Sequence, residues 1–168
     1  MSESFWIDRF LDLFNRSSAK YRSGNSDFNT YFSAEDLAFL ASIGCKPREF
    51  FDFVEDEIPA ATSLLVASVR RAYFILEQNR QLSSHELLAS HLPAKDATTD
   101  GIRWFPRILA KARGKLRGEL HPDVMYGCGG DRNFLGNLDI PLADFLQLVW
   151  KAGDDDAAVL AYVKAKSA

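Results

Sequence analysis

The sequence predicts an all-α protein. Apolar residues recur at intervals of three and four over most of the chain, and the period-two alternation of strands is almost absent. Proline and glycine interrupt the apolar stretches where helices are expected to begin and end, for example at Gly44, Pro47 and Pro106. The chain has 168 residues and 47% hydrophobic content, enough to bury one core or two small ones.

The N-terminal part is expected to form four helices. The first covers residues 5–22, and Ser33 with Asp36 gives a capping-box signal for the second. Pro47 opens the third helix, and the apolar residues 59–81 form a long fourth one.

The C-terminal part is expected to follow a short linking helix, which the capping-box pair Ser83 and Glu86 predicts. The segment AKDATTDG should be a linker, and the one extended piece expected is DVMYG. A basic helix then contains Pro106 in its first turn, and further helices follow Asp131 as an N-cap, Pro141 and the acidic run 154–156.

The two halves of the chain resemble each other when the sequence is shifted by 95 positions. Eleven identities then fall within roughly sixty positions, and they include polar or aromatic pairs such as Tyr31/Tyr126 and Asp36/Asp131. We therefore expect an internal duplication of two similar four-helix units joined by a linking helix. The units cover residues 1–82 and 100–168, and residues 83–99 form the link.

Basic residues recur every four positions around the predicted basic helix. They are expected to form one stripe on its surface, and residues 100–118 sum to a charge of +5. The stripe could hold a carboxylate, a phosphate or an acidic partner, or it could be a solvated face paired with the acidic segment 49–57. Its members are Arg103, Arg107, Lys111 and Lys115.

The glycine-rich turn after this helix is the candidate site for chemistry. Cys128 lies between glycines and close to a helix N-terminus, and both the helix dipole and nearby cations favour a thiolate. Burial under the turn would instead leave an inert thiol, and this is our expectation because no histidine is adjacent. If the turn is catalytic, Cys128 or Tyr126 would act with Asp131. Gly129 and Gly130 would let a ligand approach the backbone.

Several sequence motifs of the C-terminal half resemble those of a known family. PRILAKARGKLRG, then Y-x-C-x-x-D, then FL and DIPLADFLQLV resemble the bacterial domain-of-unknown-function family 5069 over roughly residues 100–165. The resemblance implies the family's fold and, since the family has no established activity, no particular chemistry. The matched positions are Pro106, Arg107, Lys111, Ala112, Arg113, Gly118, Cys128, Asp131, Phe134, Leu135 and Phe145.

Composition excludes several classes of protein. The net charge is −3 and the pI about 5.6, which argues against a nucleic-acid binder. Two cysteines favour a reducing, cytoplasmic location, and neither a secretory signal nor a membrane span is expected. We expect no cofactor and no metal, since the set His121, Asp123, Cys128 and Asp131 matches no zinc spacing.

Two functions remain open from the sequence. The first is a binding module that holds a small anionic ligand or an acidic protein partner in a groove between the two repeats, lined by Arg107, Lys111, Tyr31 and Tyr126. The second is an enzyme without a cofactor that acts on a small molecule. Its active site would use Arg107 together with the turn from Tyr126 to Asp131. The oligomeric state is left open.

Overall fold

A computed structural model describes residues 2–168 and confirms a mostly helical protein. Over this range there are eight α-helices, two 3-10 turns and one small antiparallel hairpin. The helices are α1 Glu3–Arg22, α2 Ala34–Ser42, α3 Pro47–Glu55, α4 Ala60–Leu76, α5 Phe105–Arg117, α6 Gly129–Gly136, α7 Leu142–Ala152 and α8 Asp156–Ser167. The hairpin strands are β1 Thr98–Thr99 and β2 Ile102–Arg103, and the 3-10 turns are Phe28–Thr30 and Ala89–His91.

Contacts divide the chain into two compact units, Met1–Leu82 and Ser83–Ala168. In the N-terminal unit α1 packs on α3 and α4, and aromatic rings fill the core. The ring of Phe50 stands edge-on to those of Phe10 and Phe14, at centroid distances of 5.3 Å and 5.4 Å. Such T-shaped pairs add to the burial of apolar area.

In the C-terminal unit α7 packs on both α5 and α8. The amphipathic faces of these helices meet in a core of mostly aliphatic side chains. Its fully buried members include Phe105, Ile108, Ala112, Leu135, Phe145, Leu146, Val159 and Val163.

The helices of the two units begin or end at matching positions. α6 and α7 each start 95 residues after α2 and α3, α8 starts 96 residues after α4, and α5 ends 95 residues after α1. Both units therefore have the helix order expected of a repeat, while common ancestry of the two halves stays a prediction.

Residues 83–92 do not form the expected linking helix. The Ser83 hydroxyl donates to Glu119 Oε1 at 2.8 Å and accepts from the His85 N–H, so it closes no capping box with Glu86. Leu87 instead forms a bridge with Leu120, beyond the end of α5. Long-range backbone pairing has here replaced a weak local helix signal, and residues 83–99 belong to the C-terminal unit.

Two further local predictions are wrong. The segment expected to be extended, at 123–127, has no strand, whereas the hairpin of β1 and β2 lies where a linker was expected. Its turn places Asp100 and Gly101 at positive φ, which a glycine adopts without strain. The predicted helix over 59–81 ends at Leu76, and Asn79 and Arg80 then turn through the left-handed region.

Candidate functional site at the start of α6

Asp131 lies at the centre of a buried polar cluster where α6 begins. Its side chain is fully buried, and its Oδ1 accepts the indole N–H of Trp104 at 2.8 Å. Its Oδ2 accepts the backbone N–H of Gly127 at 2.9 Å and lies 2.7 Å from Lys111 Nζ. Asp131 is not the predicted N-cap, because the N-cap is Cys128 and Asp131 is the third residue of the helix. The carboxylate reaches back to the turn and inward to α5.

Lys111 brings a charge from α5 into this cluster. Only 4% of its side chain is exposed, and Nζ lies 3.1 Å from Cys128 Sγ as well as 2.7 Å from Asp131 Oδ2. A buried ammonium is stable only beside a counter-charge, which Asp131 provides. Lys111 therefore lies on the inner side of α5 and not on an exposed stripe.

The other members of the predicted stripe also separate. Arg103 lies on β2, outside the helix, and Lys115 is buried. Arg107 Nη1 donates to the carbonyl of Pro93 at 2.8 Å, and its guanidinium lies 5.8 Å from the centre of the Trp104 ring. The basic residues within α5 do recur every four positions. This spacing alone does not show that the lysines lie on the face of the helix that packs against the core.

Cys128 is half-buried at the N-cap of α6, with its thiol next to Lys111. The sequence pattern of this region does not predict that Lys111 contacts both Cys128 and Asp131. They come together because the turn between α5 and α6 folds residue 128 over the inner face of α5, a tertiary contact that no local pattern reports.

Tyr126 is held in the interior of the C-terminal unit. It is 1% exposed, and its hydroxyl donates to the carbonyl of Leu142 at 2.6 Å. Burial, with a smaller contribution from the charge of Asp131, raises the pKa of Tyr126 well above its usual value. Tyr126 thus stays protonated and serves as a structural hydrogen-bond donor.

Trp104 separates the buried cluster from an open depression on the surface. It precedes α5 with φ 75°, a left-handed conformation that is uncommon for a bulky residue. A Cβ on Gly130 would lie 2.3 Å from the indole, so only glycine fits there. The depression has a volume of about 470 Å³ and is lined by Arg103, Trp104, Gly130, Asn133, Phe134, Asn137 and Leu138.

Most of these lining residues are not among the predicted site residues. Asn133 on α6 and Asn137, the C-cap of this helix, are one helical turn apart, a spacing that places both on one face but is equally typical of an ordinary solvated surface. Of the predicted ligand residues, Arg103 and Gly130 line the depression. Gly129 is exposed at the first position of α6.

The N-terminal unit has a related pair at the matching positions. Arg16 Nη2 on α1 lies 3.4 Å from Asp36 Oδ1 on α2, and Ser33 caps α2 in a full capping box with Asp36. Although partial burial alone would raise it, hydrogen bonds from Ser33 and the charge of Arg16 lower the pKa of Asp36. The side chains of Arg16 and Asp36 are 56% and 14% exposed, against 4% and 0% for Lys111 and Asp131.

Tyr31 lies in the N-terminal unit and is buried there. Its hydroxyl donates to the carbonyl of Asn25, and burial is the main reason that its pKa is raised. Its role is thus structural in the same way as that of Tyr126.

The described residues, 2–168, contain no metal-binding cluster and no helix that could span a membrane. No group of three or more His, Cys, Asp or Glu side chains there could hold a metal ion. His121 Nδ1 is 3.4 Å from Asp123 and accepts that residue's backbone N–H. No helix of the described chain is both long and apolar enough to cross a bilayer.

The C-terminal unit is thus a small helical domain in which a buried lysine–aspartate pair and a tryptophan fix the corner between two helices. Residues 90–168 match the family described as a Domain of unknown function (DUF5069), which confirms the resemblance predicted from the sequence. The match also takes in the hairpin and the Ala89–His91 turn, except for its first residue. Neither the curated proteins nor the solved structures give a match to the chain.

Proposed function

We propose that the C-terminal unit binds a small organic anion in the depression beside Trp104. The observation that carries this proposal is the composition of the depression. Its lining includes one exposed guanidinium, from Arg103, two amides, from Asn133 and Asn137, and the aromatic rings of Trp104 and Phe134. An arginine beside amide donors suits a carboxylate or phosphate, and aromatic rings suit a flat apolar group.

In this proposal Arg103 is the main residue that binds the anion, in place of the predicted basic helix. The charge of Lys111 is already balanced by Asp131, and Arg107 is engaged by the carbonyl of Pro93. Arg103 donates from Nε to the carbonyl of Lys95 at 3.3 Å, which orients its guanidinium on the hairpin beside the depression. A volume of about 470 Å³ lies within the usual range for small-molecule sites.

The ligand class can be tested with simple probes. Benzoate combines a charge with a ring, whereas acetate has only the charge and benzyl alcohol only the ring. If the proposal holds, benzoate raises the melting temperature in a saturable way, and the other two raise it much less. Salting-out by an anion does not saturate, so the shape of the titration separates the two effects.

Variants locate the binding. Arg103→Gln should shift the saturable benzoate response to much higher concentrations, while Arg117→Gln, which replaces an exposed arginine at the end of α5, should leave it unchanged. A charge-assisted contact contributes about 1.5–3 kcal/mol, so the loss should be roughly tenfold or more in affinity. Equal benzoate affinity in the Arg103→Gln and Arg117→Gln proteins would refute the proposal.

A second candidate function is a thiol-dependent enzyme, and the contact between Lys111 and Cys128 favours it. An amine nitrogen 3.1 Å from the sulfur, with the cysteine at the N-cap of a helix, is the kind of environment in which nucleophilic cysteines occur. Asp131 would then act by holding Lys111, and Tyr126 by supporting the fold.

Alkylation tests this candidate. Iodoacetamide at neutral pH should modify Cys128 faster than Cys45, which is also half-buried. Lys111→Met should remove the difference because the stabilising charge is lost. If Cys128 reacts no faster than Cys45, the enzyme candidate is wrong and Cys128 is the inert thiol that the sequence predicts.

A further inference from the structure

We propose that Cys128 and Lys111 form an oxidative modification site. A hydroperoxide first oxidises the thiol, and the lysine amine then closes a covalent sulfur–nitrogen bond between the two side chains. The proposal is independent of ligand binding in the depression and of any catalytic turnover.

The geometry places the amine where a crosslink needs it. Lys111 Nζ lies 3.1 Å from Cys128 Sγ, and the lysine side chain is 4% exposed, so it has no room to swing into solvent. The same nitrogen lies 2.7 Å from Asp131 Oδ2. Cys128 itself is half-buried at the edge of the cluster, within reach of a small oxidant.

The first step is oxidation of sulfur. The Cys128 thiolate attacks one oxygen of hydrogen peroxide, the O–O bond breaks, and hydroxide leaves while sulfur becomes a sulfenic acid. The hydroxide takes a proton from the Lys111 ammonium and becomes water. Sulfur has lost two electrons and the peroxide has gained them.

The second step is condensation. The neutral amine of Lys111 attacks the sulfenic sulfur, the S–O bond breaks, and the hydroxyl leaves as water with one amine proton. The sum is one thiol, one amine and one peroxide giving one S–N bond and two waters. Backbone nitrogen is known to close on sulfenic acids in this way, and an amine held in contact has a high effective concentration.

The competing fate of a sulfenic acid is a disulfide with a second thiol. The chain has two cysteines, and the other, Cys45, belongs to the N-terminal unit. A Cys45→Ser background removes this reaction within the chain and leaves Cys128 as the single thiol. In that background the fate of the sulfenic acid depends on Lys111.

The test is peptide mapping of the folded full-length Cys45→Ser protein after treatment with hydrogen peroxide. We expect peptides containing residues 111 and 128 to be linked, with a mass lower by two hydrogens than their sum, and to separate on treatment with dithiothreitol. Lys111→Arg keeps a cation beside Asp131 but lacks a primary amine, so it should lose the crosslink. Its sulfenic acid should be trapped by dimedone instead.

A control that needs no lysine variant keeps the test decisive if Lys111→Arg does not fold. The Cys45→Ser protein unfolded in guanidinium should be oxidised at Cys128 without a crosslink, because the two side chains are then apart. Crosslinking in both states, sulfinic acid without a crosslink in the folded protein, or no oxidation at all would overturn the proposal. A crosslink that retains an oxygen atom would overturn the direct S–N bond.

Discussion

Replacing Asp131 by asparagine should destabilise the C-terminal unit far more than the same change at Asp36. Asparagine has nearly the shape of aspartate but no charge, so it leaves the ammonium of Lys111 buried without a counter-charge. The NH2 group of the asparagine must also face one of the two N–H groups that now donate to Asp131, that of Trp104 or that of Gly127.

The size of the effect follows from burial. Removing one partner of a buried ion pair costs about 3–5 kcal/mol, and Asp131 and Lys111 are 0% and 4% exposed. At Asp36 the partner Arg16 is 56% exposed, where such a pair contributes about 0–1 kcal/mol. An asparagine at Asp36 can also still accept the Ser33 N–H, so about 1 kcal/mol or less should be lost.

Urea unfolding followed by far-UV circular dichroism measures both variants, provided that the m-values agree with the wild type. Adding Lys111→Met to Asp131→Asn removes the stranded charge and should recover part of the loss, as a double-mutant cycle would show. The reasoning fails if Asp131→Asn and Asp36→Asn cost the same, or if Lys111→Met makes the first variant still less stable.

Two further predictions concern the turn beside Asp131. Gly130→Ala should cost about 1–3 kcal/mol because its Cβ would overlap the Trp104 indole, while Gly129→Ala, with open space around its Cβ, should be neutral or slightly stabilising in a thermal melt. Burial raises the pKa of Tyr126, so the stability that this residue contributes should be fully present below about pH 10 and fall as pH rises further, because the unfolded tyrosine ionises first. Tyr126→Phe should show a shallower alkaline fall in urea titrations, and an unchanged slope would contradict the buried-phenol explanation.

Much of the helical frame could be predicted because its signals are local. The capping box of Ser33 and Asp36, the prolines near helix starts and the 3.6-residue apolar period all reappear in the structure. The prediction failed where backbone groups found distant partners. Leu87 pairs with Leu120, more than thirty residues away. This pairing competes with the helix predicted for residues 83–92, and no local sequence pattern indicates it.

The candidate site was predictable as a region but not as an arrangement. The glycines around Cys128 marked a special turn, and Lys111 was noticed for its charge. The contact between them depends on how α6 packs against α5, and the left-handed Trp104 that completes the cluster has no local signature.

The position of Trp104 makes it a built-in optical reporter. One part of the indole lines the surface depression, and its N–H bonds to the buried carboxylate of Asp131, so its excited state senses both environments. Emission recorded in a protein whose other tryptophans, Trp6 and Trp150, are replaced by phenylalanine would come from this ring alone. A molecule entering the depression and a change of charge in the cluster would then be read through the same fluorophore, without a label.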